Sequence, residues 1–197
     1  MIKKISAASV PTDWGQFTMA AYAEDETEQM PHIAMIAEGL DVDKTITVRI
    51  HSECITGDLF HSQRCDCGKQ LETAMSIINK DKGVLIYLRQ EGRGIGIINK
   101  LKAYNLQDKG YDTIEANKQL GLDVDNRDYS LALVILKDLG IKRINLLTNN
   151  PDKIEAIENS DIELVTRLPL EIKPIEANYK YLKTKKDELG HILDVKL

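Results

Sequence analysis

Apolar runs of strand length alternate with helical segments in the second half of the chain, and this order most constrains the fold. Val84–Leu88 is a continuous apolar run, which is typical of a strand covered on both faces of a sheet. Asn150 and Pro151 have the residue types of an N-cap and a first helical position, so a helix is predicted to begin there. Further helices are predicted over about 97–108, 128–139 and 179–189, and strands over 144–147 and 162–165.

The N-terminal part of the chain is richer in predicted strands. One strand is predicted over 16–22, and another where Ile46, Val48 and Ile50 alternate with polar residues. The apolar period over 68–80 indicates a helix. We therefore expect an α/β protein with a mixed, largely parallel sheet, flanking helices and a β-rich N-terminal part over about 1–44.

Charge and hydropathy argue against two broad classes of protein. The chain has 26 Lys and Arg residues against 31 Asp and Glu residues, so its formal net charge is −5. A general nucleic-acid binder needs a basic face for phosphate contacts, which this balance disfavours. No apolar run approaches the ~20 residues of a membrane span. Because the first residues also lack the apolar segment of a signal peptide, we expect a cytoplasmic protein.

The three cysteines of the chain, Cys54, Cys65 and Cys67, lie within 14 positions. An odd number of cysteines so close together is a poor disulfide framework, and in a reducing compartment the cluster favours a metal. Zinc is favoured over the alternative of inert buried thiols. Three cysteines indicate a catalytic site with an open position, whereas His51 or His61 as a fourth ligand would make the site structural.

A glycine-rich loop separates the predicted strand Val84–Leu88 from the helix that follows it. The loop reads Glu-Gly-Arg-Gly-Ile-Gly over 91–96, and Arg89 and Arg93 add positive charge. Glycines let backbone N–H groups approach an oxyanion, and the start of a helix adds a favourable field. The loop therefore favours a site for a small anion.

Three other polar segments carry weaker signals. Thr148 ends a predicted strand and Lys153 lies in the next helix, which is a ligand position in α/β folds, but a plain N-cap explains the segment as well. Asp125 and Arg127 could pair a base with a phosphate-binding cation, but their spacing favours a loop before a helix N-cap at Asp128. A solvated helix face is predicted for the basic run Lys183, Lys185 and Lys186.

Six motifs, taken together, resemble the GTP cyclohydrolase II family in order and spacing over essentially the whole chain. They lie at 49–58, 64–68, 89–96, 107–117, 126–129 and 147–151, and include Arg-Cys-Asp-Cys-Gly and Arg-Gln-Glu-Gly-Arg-Gly-Ile-Gly. The resemblance implies one domain over 1–197, in the stand-alone form without the second synthase domain of some relatives. It implies hydrolysis of GTP to 2,5-diamino-6-ribosylamino-4(3H)-pyrimidinone 5′-phosphate, formate and pyrophosphate, the first step of riboflavin biosynthesis.

The resemblance also implies the ligands of this chain. One zinc ion per subunit would be held by Cys54, Cys65 and Cys67, Mg²⁺ would accompany the GTP phosphates, and the protein would be a homodimer. No nucleic acid and no membrane is expected among its partners. The implied GTP contacts are Arg49, Ile50, His51, Ser52, Glu53, Gln70, Glu91, Gly92, Arg93, Thr113, Thr148 and Lys153.

Three residues receive catalytic roles from the same resemblance. Asp125 is implied as a proton acceptor, Arg127 as a nucleophile on the α-phosphate, and Tyr104 as an aid to the chemistry after the first ring attack. A guanidinium is almost always protonated, so a phosphate clamp is the physically easier role for Arg127, and both roles stay open. Two alternatives to the full hydrolase also stay open: an enzyme that stops at the formamidopyrimidine, and a non-catalytic module that binds zinc and nucleotide.

Overall fold

The structure is a computed structural model that describes residues 1–123 and 125–196. Its strands are β1 (Lys3–Thr12), β2 (Gly15–Ala23), β3 (His32–Ala37), β4 (Ile46–Ser52), β5 (Val84–Leu88), β6 (Arg143–Leu147) and β7 (Glu163–Leu168). Its helices are α1 (Ile55–Asp58), α2 (Cys67–Asp81), α3 (Gly96–Gln107), α4 (Thr113–Gln119), α5 (Ser130–Asp138), α6 (Pro151–Glu158) and α7 (Glu176–Asp187), with a 3-10 helix over Glu91–Gly94.

The strands of the described residues form one seven-stranded sheet in the order β1-β2-β3-β5-β4-β6-β7. The pairs β1–β2, β2–β3 and β3–β5 are antiparallel, whereas β4–β6 and β6–β7 are parallel. The predicted mixed α/β sheet with a β-rich N-terminal part is confirmed. The parallel pairs join β4, β6 and β7 at one end of the sheet. The N-terminal strands β1, β2 and β3 form the other end and join the sheet through the antiparallel β3–β5 pair.

The chain divides into two compact units, each of which is formed by three segments. We call the first the sheet unit, because it holds the strands apart from the last residue of β4; its segments are Met1–His51, Gln70–Arg89 and Tyr129–Glu171. We call the second the cysteine unit, because it holds all three cysteines; its segments are Ser52–Lys69, Gln90–Asp128 and Ile172–Leu197.

The two apolar clusters of the described residues lie within the sheet unit. One includes Ile135 of α5 with strand residues such as Val48 and Ile144, and the other includes Phe17 of β2 and Ile78 of α2. The predicted apolar face of β4 is buried, but the intervening side chains of β4 are buried too, including those of Thr47, Arg49 and His51. This burial follows from the position of β4 between β5 and β6, in the middle of the sheet.

The helix starts show how local capping signals operate in this chain. The predicted start at Asn150 is confirmed, since the Asn150 side chain accepts a hydrogen bond from the backbone N–H of Asp152 and Pro151 is the first residue of α6. The predicted N-cap at Asp128 is wrong, because α5 begins at Ser130 after a Tyr129 N-cap. Helix α4 was not predicted, since it is only seven residues long, although a capping box of Asp112 and Glu115 marks its start.

Candidate functional site

The three cysteine sulfurs of the cysteine unit lie together, with all Sγ atoms within 4.8 Å of one another. Cys54 precedes α1 and Cys67 is the first residue of α2, so two helix starts and the turn between them bring the thiols together. The Sγ atoms of Cys54 and Cys65 are 3.7 Å apart. Zinc–sulfur bonds of about 2.3 Å in a tetrahedron place neighbouring sulfurs about 3.8 Å apart, so this soft donor set fits zinc.

Neither histidine near the cysteines in sequence belongs to this group, which within the described residues contains only the three thiols. The His51 ring stacks on Tyr87 within the sheet unit, with ring centroids 5.4 Å apart. His61 has a positive φ of 50° in the loop between the first two cysteines. The donor set is therefore that of the open site that three cysteines predict, rather than a closed four-ligand site.

Two glycines allow the close backbone approach that this arrangement needs. A Cβ atom at Gly68 would lie 2.2 Å from the Gly57 carbonyl oxygen, and one at Gly57 would lie 3.0 Å from the Cys65 Sγ atom. The backbone N–H of Cys54 donates to the Asp58 carboxylate at 2.9 Å, which holds the α1 turn. Only a residue without a side chain fits at Gly68, so this position contributes directly to the geometry of the sulfurs.

Lys100 is a site residue that the sequence reasoning missed. Its Nζ atom donates to the Cys54 Sγ atom at 3.1 Å, the Thr56 hydroxyl at 2.9 Å and the Glu91 carboxylate at 2.8 Å. Burial lowers the pKa of Lys100, but the negative charges of Cys54 and Glu91 outweigh burial and raise that pKa above its usual value. Lys100 is therefore charged, and it sits between a candidate metal ligand and a predicted GTP contact.

The ionisation of Cys54 matches the form in which cysteine binds a metal. Hydrogen bonds from the thiols of Cys65 and Cys67, together with the charge of Lys100, hold the pKa of Cys54 well below its usual range. These contacts favour the thiolate form of Cys54, and the neighbouring Cys54 sulfur raises the pKa of Cys65 and Cys67. A cation that replaces the shared protons completes the deprotonation of such a group.

The glycine-rich loop forms the 3-10 helix Glu91–Gly94 and places Arg93 in the cysteine unit. Gly92 and Arg93 both have a φ of 62°, so the backbone turns sharply within the loop. The second carboxylate oxygen of Glu91 accepts from the backbone N–H of Ile55 at 2.6 Å. The Nη2 atom of Arg93 is buried and has no hydrogen-bond partner among the described residues. This donor is available for an anionic ligand, which agrees with the predicted anion site.

Asp125 and Arg127 form the close pair that their spacing allows. The Arg127 Nε atom donates to both carboxylate oxygens, at 2.8 and 3.0 Å, and the Arg127 Nη2 atom also contacts the Asp125 carboxylate. Burial raises the pKa of Asp125, but the hydrogen bonds and charge of Arg127 outweigh it and lower that pKa below its usual value. Asp125 is thus ionised, and Arg127 is a fixed cation.

Tyr104 lies one helical turn after Lys100 on α3. The Lys100 Nζ atom lies 5.8 Å from the centre of the Tyr104 ring, and the Arg64 guanidinium carbon lies 4.8 Å from it. Arg64 in turn donates to both carboxylate oxygens of Asp108, at 2.7 and 2.9 Å. Burial raises the pKa of Tyr104, so its hydroxyl keeps its proton at neutral pH and can donate a hydrogen bond. Thr113 is the first residue of α4, elsewhere in the cysteine unit.

The remaining predicted GTP contacts are divided between the two units. In the sheet unit, Arg49 donates to the Leu147 carbonyl oxygen at 3.0 Å and to the Gln70 side chain at 2.7 Å. Lys153 donates to the Ile50 carbonyl oxygen at 2.9 Å. The Thr148 hydroxyl accepts from the Asn150 backbone, and Arg49, Thr148 and Lys153 are all buried. These residues thus form a polar group at the carboxyl ends of β4 and β6, which is where α/β sheets bind ligands.

Ser52 and Glu53 begin the cysteine unit directly after the buried part of β4. The Ser52 hydroxyl is buried without a hydrogen-bond partner among the described residues, and Glu53 is also buried. Both precede Cys54 in the chain. Two predicted GTP contacts and one candidate metal ligand are therefore consecutive residues of the chain.

The fold and these groups define an α/β protein with a candidate thiolate metal site and buried cations. The family model described as GTP cyclohydrolase II matches residues 3–169. The chain therefore belongs to the GTP cyclohydrolase II family, a family of enzymes, and the resemblance found in the motifs is confirmed.

Curated relatives of the chain are riboflavin biosynthesis proteins named RibBA. The protein from Chlorobium phaeovibrioides is 49% identical over 194 residues, which cover 98% of this chain and 47% of the relative. The protein from Endomicrobium trichonymphae is 50% identical over 193 residues, which cover 98% of this chain and 48% of the relative. The chain spans about half the length of the curated relatives it matches.

One solved structure is similar over most of the chain at low identity. It is RibBX, a two-domain 3,4-dihydroxy-2-butanone 4-phosphate synthase from A. baumannii, with a TM-score of 0.45 and 20% identity. The match covers 87% of this chain and 40% of that one. Within the described residues, every helix is too short or too polar to cross a membrane.

Proposed function

We propose that this chain is a GTP cyclohydrolase II that acts in riboflavin biosynthesis. It would convert GTP to 2,5-diamino-6-ribosylamino-4(3H)-pyrimidinone 5′-phosphate, formate and pyrophosphate, with water consumed at each bond that breaks. The observation that carries the proposal is the group of three thiols, with Cys54 and Cys65 sulfurs 3.7 Å apart, in a chain of this family. Zinc bound by Cys54, Cys65 and Cys67 would supply Lewis acidity for the attack of water on C8 of guanine.

Charged residues of the cysteine unit are suited to the other steps. The Arg93 Nη2 donor would bind a phosphate oxygen, since it has no partner among the described residues. Asp125 is ionised and can accept a proton, and Arg127, whose charge is fixed beside it, would clamp the phosphates as pyrophosphate leaves. The protonated hydroxyl of Tyr104 would donate a hydrogen bond during ring opening. Mg²⁺ would neutralise the triphosphate.

The polar group of the sheet unit would hold the substrate rather than react with it. Arg49 and Lys153 are buried cations, and each donates to a backbone carbonyl oxygen; Arg49 also donates to the Gln70 side chain. Such cations can bind an anionic ligand without a large desolvation cost at the moment of binding. The remaining GTP contacts of the proposal are Ile50, His51, Ser52, Glu53, Glu91, Gly92, Thr113 and Thr148.

The test is mass spectrometry of the products formed from GTP by the purified chain with zinc and Mg²⁺, with formate assayed in parallel. Diaminopyrimidine phosphate, pyrophosphate and formate together would support the full hydrolase. A formamide product without formate would replace the proposal with an enzyme that stops early. Bound zinc without turnover would replace it with a binding module. The control is the same chain freed of zinc with a chelator and then assayed with Mg²⁺ alone, and activity that returns when zinc is added back would assign the loss to the metal.

The assembly and location of the protein are part of the same proposal. The family resemblance supports one GTP cyclohydrolase II domain over 1–197 and a homodimer, and the hydropathy of the sequence supports a cytoplasmic location. Sedimentation velocity of the zinc-loaded chain measures the dimer directly. A monomer at micromolar concentration would contradict that part of the proposal and leave the reaction untouched.

A further inference from the structure

Helix α7 contacts the turn that carries two of the three cysteines. The Lys185 Nζ atom donates to the Asp66 carboxylate at 3.1 Å, and Asp66 stands between Cys65 and Cys67 in the chain. The side chains of Asp66 and Lys185 are 1% and 11% exposed. A carboxylate so deeply buried needs a partner, because an uncompensated buried charge is strongly destabilising.

The same face of α7 also reaches the glycine-rich loop. The Lys185 Nζ atom lies 4.7 Å from the centre of the Tyr181 ring, and the Arg93 guanidinium carbon lies 5.8 Å from the same ring. Tyr181 and Lys185 are four residues apart and therefore share one face of the helix. One helical turn of α7 thus contacts both the turn between Cys65 and Cys67 and Arg93, which is proposed to bind a phosphate.

This helix lies outside the residues that define the family match. The family model ends its match at residue 169, whereas α7 spans Glu176–Asp187. The sequence predicts a solvated face for the basic run of α7, but that prediction is wrong for Lys185, which is buried while Lys183 and Lys186 are exposed. Lys185 differs from these two exposed lysines in that its ammonium contacts the buried Asp66 carboxylate.

We infer that Lys185 and Asp66 are a positioning pair that holds the Cys65–Cys67 turn in its metal-binding geometry. The inference rests on the proposed metal site. Metal sites need their ligand atoms within about 0.2 Å of the right distances, so a small shift of the turn is costly. Loss of the Lys185 ion pair would remove one contact that fixes the Asp66 carboxylate, and a movement of Asp66 would shift the cysteines on either side of it.

The experiment compares zinc affinity in the full-length chain, measured by competition with a zinc-chelating dye. Lys185→Met should lower zinc affinity by about 10- to 100-fold, the usual effect of losing a partner just outside the ligands. Lys186→Met is the matched control, because it removes an exposed lysine from the same helix, and it should bind zinc like the wild-type chain. Lys185→Arg keeps the cation and should restore most of the affinity.

The outcomes separate the inference from the proposed function. A folded Lys185→Met variant with wild-type zinc affinity would overturn the positioning pair and leave the metal site in place. A wild-type chain that binds no zinc would overturn the metal site and the pair together. If Lys185→Met does not fold, the double variant Asp66→Asn/Lys185→Met decides: it buries no charge, and zinc binding equal to wild type there would also overturn the inference.

Discussion

The Lys100 side chain donates to three partners in the cysteine unit and forms a buried ion pair with Glu91. Its Nζ atom lies 2.8 Å from the Glu91 carboxylate, and the two side chains are 11% and 9% exposed. Lys100→Met should lower the free energy of unfolding of the zinc-loaded chain by about 3–5 kcal/mol, because Glu91 is left buried without its cation. Urea unfolding followed by circular dichroism measures this loss.

Two companion variants show whether charge or packing causes the loss. Lys102→Met removes an exposed lysine from the same helix and should leave the free energy of unfolding unchanged. Glu91→Gln/Lys100→Met removes both charges and should recover a large part of the loss. A Lys100→Met variant as stable as Lys102→Met would show that the Glu91 pair contributes nothing.

A substitution of Arg127 can distinguish its two possible roles, which are nucleophile and phosphate clamp. Its Nε atom donates to both oxygens of Asp125, so the guanidinium is held as a charged group rather than presented as a free nucleophile. We expect Arg127→Lys to lower turnover by about 10- to 100-fold and to give the same products, because one positive charge remains while the two-pronged contact is lost. Product analysis and intact-protein mass spectrometry measure this.

The protein mass decides between the two roles. A clamp leaves the mass of the chain unchanged when GTP turnover is quenched with alkali, which preserves a phosphorus–nitrogen bond. A mass increase that corresponds to a guanylyl group on the wild-type chain, and that is absent from Arg127→Lys, would instead support the nucleophile.

Single residues also show where sequence reasoning stops. The grouping of the Cys54, Cys65 and Cys67 thiols was predictable because thiols so close in sequence favour a common metal site, and their role as ligands stays a prediction. The contacts of Lys100 and Lys185 could not be predicted, because their partners Cys54 and Asp66 lie 46 and 119 residues away in the chain. Lysine is mostly exposed in proteins, so a lysine that folding buries against a distant anion has no local signature.

The Asp138 carboxylate at the end of helix α5 contacts two N-terminal strands, in addition to the apolar packing of α5 against them. The Asp138 side chain accepts from the Tyr22 hydroxyl of β2 at 2.8 Å and from the Lys4 ammonium of β1 at 3.1 Å. These contacts, first the Tyr22 hydrogen bond and then Lys4, lower the pKa of Asp138 below its usual value. A carboxyl whose pKa is lower in the folded state stabilises the fold above its unfolded pKa of about 3.9 and loses that contribution as the pH falls.

Tyr22→Phe should therefore destabilise the chain in a pH-dependent way. We expect it to lower the free energy of unfolding by about 1 kcal/mol at pH 7, since it removes one hydrogen bond to a partly exposed carboxylate. The difference from wild type should begin to shrink below about pH 4, where the Asp138 carboxyl of the unfolded chain becomes protonated, and should be lost at the lower pH where the folded chain is protonated too. Urea unfolding of both proteins at several pH values measures it, and a difference independent of pH would contradict the role of Asp138.

At the level of helices and strands, prediction succeeded where a pattern was local and long. Val84–Leu88 and the helix that begins at Pro151 were found because one is a continuous apolar run and the other has an N-cap followed by proline. The burial of both faces of β4 was not predicted. Alternation of apolar and polar residues predicts a strand with one buried face, and only the neighbouring strands in the sheet show that both faces are covered. Sheet order is a non-local property that periodicity does not encode.

Across the whole molecule, apolar burial is unevenly distributed. Both apolar clusters lie in the sheet unit, whereas Leu182 is the only large aliphatic side chain among the described residues of the cysteine unit that counts as buried. The cysteine unit relies instead on thiols, ion pairs and hydrogen bonds. Metal binding to such a unit contributes to its folding free energy.

Removal of zinc should therefore loosen one unit far more than the other. We expect faster hydrogen exchange over 52–69, 90–123 and 172–196 after chelation, with the strands of the sheet unit still protected. Mass spectrometry of deuterated peptides from the zinc-loaded and chelated chains makes the comparison. Equal changes in both units, or none in the cysteine unit, would contradict the dependence on metal.

The closeness of the sulfurs has a consequence for handling the protein in air. Cys54 carries a thiolate whose Sγ atom is only 3.7 Å from that of Cys65, whereas a disulfide bond is about 2.05 Å long. Peroxide can take two electrons from such a pair and leave a crosslink where a cation should bind. An ion held by all three sulfurs occupies the lone pairs that an oxidant attacks. Metal content and resistance to oxidative inactivation should thus rise and fall together from one preparation to the next.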